Sequence, residues 1–481
     1  MMNYRMLSYL FGIIALIEAA LLTLPLLVAL IYKESAVPFL LTIGILLVVG
    51  LPLIIKKPRD TRIYARDGFV AVAGSWILMT LFGALPFFFS GEFPSFIDAL
   101  FESVSGFTTT GSSILTQVEM MPRGILFWRS FTHWVGGMGV LVFMLALLPA
   151  DNGRAIHLLR AEVPGPTKDK LVPKMRQTAL ILYSIYFALT ALLALLLLCV
   201  NMPLYDSLVN AFAVAGTGGF SVLDNSIAGY ANPAAEWIIA IFMLVFGVNF
   251  NIYFLLLIKR LDAARKSEEL RVFLCLCGIS TAVITVNAFA HFATVADGFR
   301  TAFFQVASII STTGFSTANY VRWPALSQMI LMLLMITGAC AGSTAGGMKL
   351  SRVMLLIKNT FRNLRQAIRP GSVTVVRLDG DVVEDKTLRA ASNYLTLYVL
   401  CIVASTLLLS IGGFDFETNF SATLTCISNV GPGFGKIVGP VGNFSKFSPF
   451  AKLVLCFDML LGRLEFIPLL AMLSPRTWKK S

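Results

Sequence analysis

Four short stretches hold the residues best suited to chemistry: Thr109-Thr110-Gly111-Ser112, Gly216-Thr217-Gly218-Gly219, Thr312-Thr313-Gly314-Phe315 and Asn429-Val430-Gly431-Pro432-Gly433. None contains a nucleophile beside a base. What they offer is backbone. An extended chain with glycine at strained positions can point several carbonyl oxygens the same way. Four such strands around an axis make stacked oxygen rings that can replace the hydration shell of a monovalent cation. The candidate ion-binding residues are Thr109, Thr110, Gly111, Thr217, Gly218, Thr312, Thr313, Gly314, Asn429, Val430 and Gly431. One such stretch alone would read as the loop that ends a helix. Four of them at equivalent places read differently.

The elements that must position these loops share one plan. An acidic residue comes first: Asp98, Asp206, Asp297 or Glu417. An apolar run follows, then the loop, then a polar stretch before the next long helix. An apolar run of ~10–14 residues is too short to cross a bilayer and is a candidate re-entrant segment. Non-helical backbone at membrane depth survives only where protein buries it or it lines a water-filled cavity. A short helix would aim its negative C-terminal end at that cavity, which favours a cation, and the acidic residue would sit at its positive end. The arrangement is a fourfold internal repeat.

Composition agrees. Of 481 residues, 57% are apolar and 13% charged, against about 45–50% and about 25% in ordinary globular chains. Mean hydropathy is +0.80. A soluble enzyme and a disordered chain are both excluded. Ten stretches suit membrane helices: 6–32, 37–55, 68–90, 125–149, 178–201, 235–258, 271–294, 325–357, 391–412 and 449–473. The first is too long for a signal peptide, contains Glu18 and shows no small-residue cleavage site.

The expected fold is an all-α polytopic membrane protein with four helix–pore-loop–helix repeats in pseudo-fourfold arrangement around one pore, behind two extra N-terminal helices. The repeats are placed at 57–150, 151–260, 261–370 and 371–481, after the leading helices in 1–56.

The net charge of +12 follows topology. Alternate loops 56–67, 150–177, 259–271 and 349–390, with both termini, carry about three-quarters of the 38 basic residues, so both termini are expected to be cytoplasmic. A nucleic-acid footprint is thereby excluded. The seven cysteines read as small buried hydrophobes, and three scattered histidines form no zinc site. No G-x-G-x-x-G or Walker A motif is present, so nucleotide control would require a partner.

Two features suggest gating. Residues 338–347 place Gly338, Gly342, Ser343, Thr344, Gly346 and Gly347 in the middle of an apolar segment. Glycine costs about 1 kcal/mol in a helix interior, so the run is expected to unwind into a flap, although a small-residue packing face is the other reading. Arg463 lies in the last apolar segment, where a charge needs an interior partner. Asp458 and Glu465 are nearby in sequence, but on a helix neither stands at i±3 or i±4 from it; it is either one half of a structural ion pair or a positive barrier below the loops. Glu18, Arg129, His133 and Asp458 read as polar ties between helices. On the cytoplasmic side, Lys358, Arg362, Arg365 and Arg369 mark a basic helix face. Beyond it, Ser372–Leu378 and Val382-Val383 flank the turn signal Asp379-Gly380, a small hairpin suited to docking a regulator.

The fourth loop resembles the Thr-Val-Gly-Tyr-Gly filter of potassium channels, with Asn for Thr and Pro for Tyr. Together with His133-Trp-Val-Gly-Gly-Met-Gly139, Gly338-Ala-Cys-Ala-Gly-Ser-Thr-Ala-Gly-Gly-Met-Lys349 and Gly462-Arg-Leu-Glu465, the chain resembles the Trk/Ktr/HKT superfamily of cation transporters over essentially its whole length. The two leading helices favour its TrkH branch over the shorter KtrB. The resemblance implies a bacterial inner-membrane potassium-uptake pore and not an enzyme, with K⁺ as the transported ion and no covalent cofactor. It also implies a homodimer, a cytosolic nucleotide-binding regulator resembling TrkA, and filter glycines at Gly111, Gly218, Gly314 and Gly431. It implies that 338–347 is the intramembrane gate loop and that Arg463 touches it. Loops one and three lack the second filter glycine, so discrimination should be weaker than in a true channel. The alternative is a K⁺ symporter coupled to H⁺ or Na⁺, since broken helices also occur in secondary transporters.

Overall fold

The computed structural model describes residues 2–479 except 59, 61–63, 140–174, 261, 263–264 and 373. The second half of the expected 125–149 span, the boundary at 150 and most of the basic loop 150–177 therefore lie outside the described residues. What is described is almost entirely helical, with one two-stranded hairpin.

Among the described residues, six helices are long and apolar enough to cross a membrane, or seven if one bent pair counts as a single span. The first runs Tyr4–Ile31 as α1 (Tyr4–Leu21) and α2 (Thr23–Ile31). It breaks at Leu22, where Pro25 cannot donate to the Leu21 carbonyl. α3 (Val37–Ile55) packs on α1 through Gly12 and Gly50, where a Cβ on either would press on the other's carbonyl oxygen. α4 (Ala65–Phe89), α7 (Met175–Cys199), α11 (Glu268–Asn287) and α15 (Asp385–Leu409) are the other long helices. Their outer faces are apolar and bare: Val48, Val286 and Leu407 are 67–79% exposed. Such a surface suits contact with lipid.

Between them lie four short helices: α5 (Phe96–Phe107), α8 (Leu204–Ala215), α12 (Val295–Ile310) and α16 (Phe416–Ser428). Each has its acidic residue in the first turn, namely Asp98, Asp206, Asp297 and Glu417. Ser95 and Thr294 cap α5 and α12 by accepting from the amides of Asp98 and Asp297. Each short helix buries its C-terminal half completely or nearly so.

Four further helices follow the four loops: α6 (Arg123–Gly137), α9 (Pro233–Gly247), α13 (Ala325–Thr337) and α17 (Pro449–Arg463). Each starts at a proline, Pro122, Pro233, Pro324 or Pro449, and stops after 13–15 residues. Three of the expected spans that contain these helices are accordingly not single helices. Residues 235–258 bend by 90° between α9 and α10 (Phe250–Leu257), because Val248 is extended and Asn249 caps the second piece through the Asn251 amide. Residues 325–357 divide into α13, a coil over 338–349, and α14 (Leu350–Ile368). Residues 449–473 divide at Glu465 and Phe466, both with positive φ, before α18 (Ile467–Leu473). Arg463, expected in mid-helix, is instead the last residue of α17.

The hairpin pairs β1 (Arg377–Leu378) with β2 (Asp381–Val382), Arg377 opposite Val382. Asp379 and Gly380 both have positive φ, as the favoured two-residue hairpin turn requires.

Candidate functional site: four loops, a ring and a coil

The four loops end their short helices in the same way. The Thr110 amide donates to the Ser105 carbonyl, Gly218 to Ala213, Thr313 to Ser308 and Val430 to Thr425, at 2.9–3.1 Å. One residue earlier, Thr109, Thr217, Thr312 and Asn429 donate three residues back and take left-handed φ of 53–56°. These bonds are the Schellman pattern, whose left-handed residue is usually glycine. Threonine is β-branched and strongly disfavoured there. Strain of order 1–3 kcal/mol per residue persists only where the surroundings impose it, and it clusters at functional sites.

That shared geometry fixes the register. Positive φ returns at Gly111, Gly219, Gly314 and Gly431. In the second loop the residue equivalent to the other three glycines is therefore Gly219, one later than the expected Gly218. Gly218 takes the place held elsewhere by Thr110, Thr313 and Val430. The sequence could not settle this, because Gly218 and Gly219 are adjacent.

The loops meet in a closed cycle. A Cβ on Gly111 would strike the Gly218 carbonyl oxygen, one on Gly219 that of Thr313, one on Gly314 that of Val430, and one on Gly431 that of Thr110. Each loop thus leans on the next and the fourth returns to the first. Glycine is required because the neighbour is backbone, which cannot rotate aside. The same four glycines line one pocket with Ser113, Asp224 and Asn443 from the stretches that follow the loops. Inward carbonyls in such a cycle can strip water from a cation and replace it.

Side chains brace the ring. Asn429 Nδ2 donates to Thr110 Oγ1 and to the Met459 carbonyl, both at 2.9 Å. His133 is fully buried; its Nδ1 lies 2.7 Å from the Gly106 carbonyl and its Nε2 accepts from the Phe220 amide. This assigns the proton to Nδ1 and ties α5 to the second loop. Arg129 and Glu102 form a buried pair at 2.5 Å, with the guanidinium over the Phe220 ring and donating to the Ser221 carbonyl. Removing one partner of such a pair strands the other charge, at about 3–5 kcal/mol. Arg129→Leu should lower the melting temperature in detergent sharply, and the double variant Arg129→Leu/Glu102→Leu should recover part of the loss. Equal melting of the single variant and the parent would mean the pair is not a brace.

Below the ring lies the coil 338–349. Gly338, Gly342 and Gly347 have positive φ. A Cβ on Gly342 would press on the Asn249 side chain, and one on Gly346 would fall on the Ser428 carbonyl. The Gly346 amide donates to Thr312 Oγ1 at 2.6 Å. Ser343 Oγ bonds the Cys340 carbonyl, and Thr344 Oγ1 the Phe246 carbonyl. The coil therefore sits directly under loops three and four, in the notch made by the α9–α10 bend. Arg463 locks it. Its guanidinium donates to the Thr344 carbonyl at 2.7 Å, to Thr109 Oγ1 at 3.2 Å, and to the Gly136 and Gly137 carbonyls at 2.5 and 2.7 Å. The carboxylates nearest to it in sequence are engaged elsewhere: Glu465 with Arg352 at 2.5 Å, Asp458 with Ser405 at 2.6 Å.

Sequence reasoning missed Gly219, Asn249 and Glu269. A proline-to-glycine interval repeated in the first two helices after the loops could have located the Asn249 bend.

The TrkH cation transport protein family model matches residues 39–480. The Trk system potassium uptake protein TrkH of Salmonella typhimurium is 36% identical over 490 residues, covering 100% of both chains. TrkG of Escherichia coli is 32% identical over 99% of both. Among solved structures, the potassium transporter TrkH from Vibrio parahaemolyticus superposes with a TM-score of 0.88 at 31% identity, over 99% of this chain and 100% of that one.

Proposed function

This chain belongs to the TrkH family of cation transport proteins, within the Trk/Ktr/HKT superfamily, and we propose from that premise that it takes up potassium across the bacterial plasma membrane through a channel-like pore. The pore consists of four helix–pore-loop–helix repeats at 57–150, 151–260, 261–370 and 371–481, behind two leading helices, in ten spans with both termini cytoplasmic. The single observation that carries the proposal is the closed cycle of glycines and carbonyls. It brings four loops scattered over the sequence to one place, in one register, with the oxygen-rich backbone a dehydrated cation needs.

In this reading Thr110, Gly218, Thr313 and Val430 supply carbonyls, the glycines permit the close approach, and the hydroxyls of Thr109 and Thr312 hand the ring's lower edge to the gate. The coil 338–347 closes the path from the cytoplasmic side, with Arg463 as its pin and a positive charge in the cation's way. The protein works as a homodimer, and a TrkA-like cytosolic subunit supplies the nucleotide response.

The second reading, a symporter coupled to H⁺ or Na⁺, is favoured by the breaks after three of the loop-following helices, α9, α13 and α17, a construction secondary transporters also use. Rb⁺ uptake into proteoliposomes separates the two. Uptake that follows the K⁺ or Rb⁺ gradient alone, with no dependence on a Na⁺ or H⁺ gradient, is the expected result. A fixed requirement for a second ion would replace the pore with the symporter.

A further inference from the structure

The first turn of α11 touches two parts of the chain that the sequence keeps far apart. Glu269 is 7% exposed, and its Oε1 accepts from the Ala341 amide at 2.8 Å and from the Ser351 amide at 3.0 Å. Ala341 lies early in the coil under the ring, and Ser351 lies past its end, in the first turn of α14. One carboxylate oxygen therefore staples the two ends of the coil. It also supplies what α14 lacks. The residue at the N-cap, Lys349, has φ of 73° and no capping side-chain bond. An anionic oxygen at a helix N-terminus is favoured by the dipole, and hydrogen bonds to a charged acceptor are roughly twice as strong as neutral ones.

The preceding residue faces the hairpin. The Glu268 amide donates to Asp379 Oδ1 at 2.7 Å, and Asp379 is in the hairpin turn. Glu268 Oε1 pairs with Lys358 Nζ at 2.5 Å, and the same Nζ donates to the Arg377 carbonyl at 2.9 Å. Lys358 belongs to α14, the helix that continues the coil. Leu355 of α14, Val376 and Val383 of the hairpin limbs, and Leu388 of α15 form a small apolar cluster beneath the turn. The hairpin is therefore joined to α14 and to α11 at once, through contacts with few alternatives.

We infer that Glu269 is the positioning residue that latches the gate loop shut, and that the Ser267–Glu269 turn couples this latch to the cytoplasmic hairpin. Displacing the hairpin draws on Glu268 and, through the adjacent residue, loosens both ends of the coil. The inference rests on reading 338–347 as the gate. Coupling between sites needs an element whose equilibrium both sites bias; here that element is the coil, held from one side by Arg463 and from the other by Glu269.

The test uses the full chain in proteoliposomes. Rb⁺ uptake is measured for Glu269→Ala, Glu269→Gln, Asp379→Ala, the double variant Glu269→Ala/Asp379→Ala, and a deletion of 340–346. In parallel, labelling of Cys340 by a methanethiosulfonate reagent is followed in a background with the exposed Cys199 and Cys275 and the half-buried Cys401 changed to serine; Cys340 itself is buried. Glu269→Ala should raise basal uptake about fivefold or more, the lower end of typical coupling, and should speed Cys340 labelling. Glu269→Gln, which keeps an acceptor but not the charge, should fall between Glu269→Ala and the parent, and carries the test if Glu269→Ala does not fold. Asp379→Ala should raise uptake less, and the double variant should match Glu269→Ala alone because both act through one joint. If the deletion raises uptake while neither Glu269 variant changes uptake or labelling, the latch is overturned and the gate stands. If the deletion leaves uptake unchanged, the gate reading fails, and labelling still decides whether Glu269 fixes the coil. Additive effects of Asp379 and Glu269 would overturn the coupling to the hairpin.

Discussion

Gly314→Ala is expected to cut the preference for K⁺ over Na⁺ at least ~tenfold and to lower Rb⁺ uptake with it. A Cβ at this position would fall on the Val430 carbonyl oxygen and lie 2.7 Å from Pro432 Cδ, at a φ of +84°. The left-handed backbone alone costs an L-residue about 1–2 kcal/mol, and about 1.4 kcal/mol is already a factor of ten in an equilibrium. The contact adds to that, because the obstructing atom is part of the next loop and each loop leans on its neighbour. A distortion at Gly314 should therefore pass to Val430 and from there to Gly431 and the Thr110 carbonyl. Gly413→Ala is the control. Gly413 has a similar φ of +79° but nothing within 4 Å of a new Cβ, so it should lose a little stability and keep its selectivity. Parallel Rb⁺ and Na⁺ uptake measures both variants. An unchanged ratio at full uptake in Gly314→Ala would mean that the third loop does not line the ion path.

Arg463→Ala should raise basal Rb⁺ uptake by about tenfold or more. Hydrogen bonds to a charged group contribute about 1.5–3 kcal/mol each, and this guanidinium donates to Thr109, Thr344, Gly136 and Gly137. The Thr344 bond holds the coil directly. The others anchor the guanidinium to the lower edge of the first loop and to the C-terminal end of α6, where a cation is favoured. Arg463→Lys should restore closure only in part, since a compact ammonium cannot span the same carbonyls as a planar fork. Loss of uptake in Arg463→Ala, with the protein still folded, would instead make Arg463 a support of the ring, acting through Thr109.

Much of this site was legible as pattern and little of it as register. The acidic residue, short apolar run and threonine-glycine loop recur four times because each copy solves the same problem, and period and composition reveal that without coordinates. The assignment to Gly218 slipped by one because two adjacent glycines offer the same permissive backbone, and only the bonds that end α8 distinguish them. The coil at 338–347 was legible because four glycines cannot hold a helix. The breaks at Val248 and at Glu465-Phe466 were harder to see, because their residues are compatible with helix: the coil bonds both sides of the first, through Gly247 and Phe250, and at the second Glu465 pairs with Arg352 while Phe466 packs on Tyr394 and Tyr398. Arg463 needs an interior partner wherever it lies, and the spacing suits neither Asp458 nor Glu465; the partners are carbonyls of Thr344, Gly136 and Gly137, which leave no mark in a sequence.

The cycle of loops is made by one covalent chain, and that has a consequence for how such a protein can diversify. In a ring of identical subunits every substitution is imposed on all quadrants together, so a plug or a pin would have to be built four times around one axis, where there is room for one. Here the quadrants are separately addressable. In the proposed pore the coil follows the third loop, the arginine that holds it follows the fourth, the Gly136 and Gly137 carbonyls that receive that arginine follow the first, and the notch follows the second. Division of labour among duplicated parts becomes available once they are fused, and an obstruction on one side can then govern a passage that all four share.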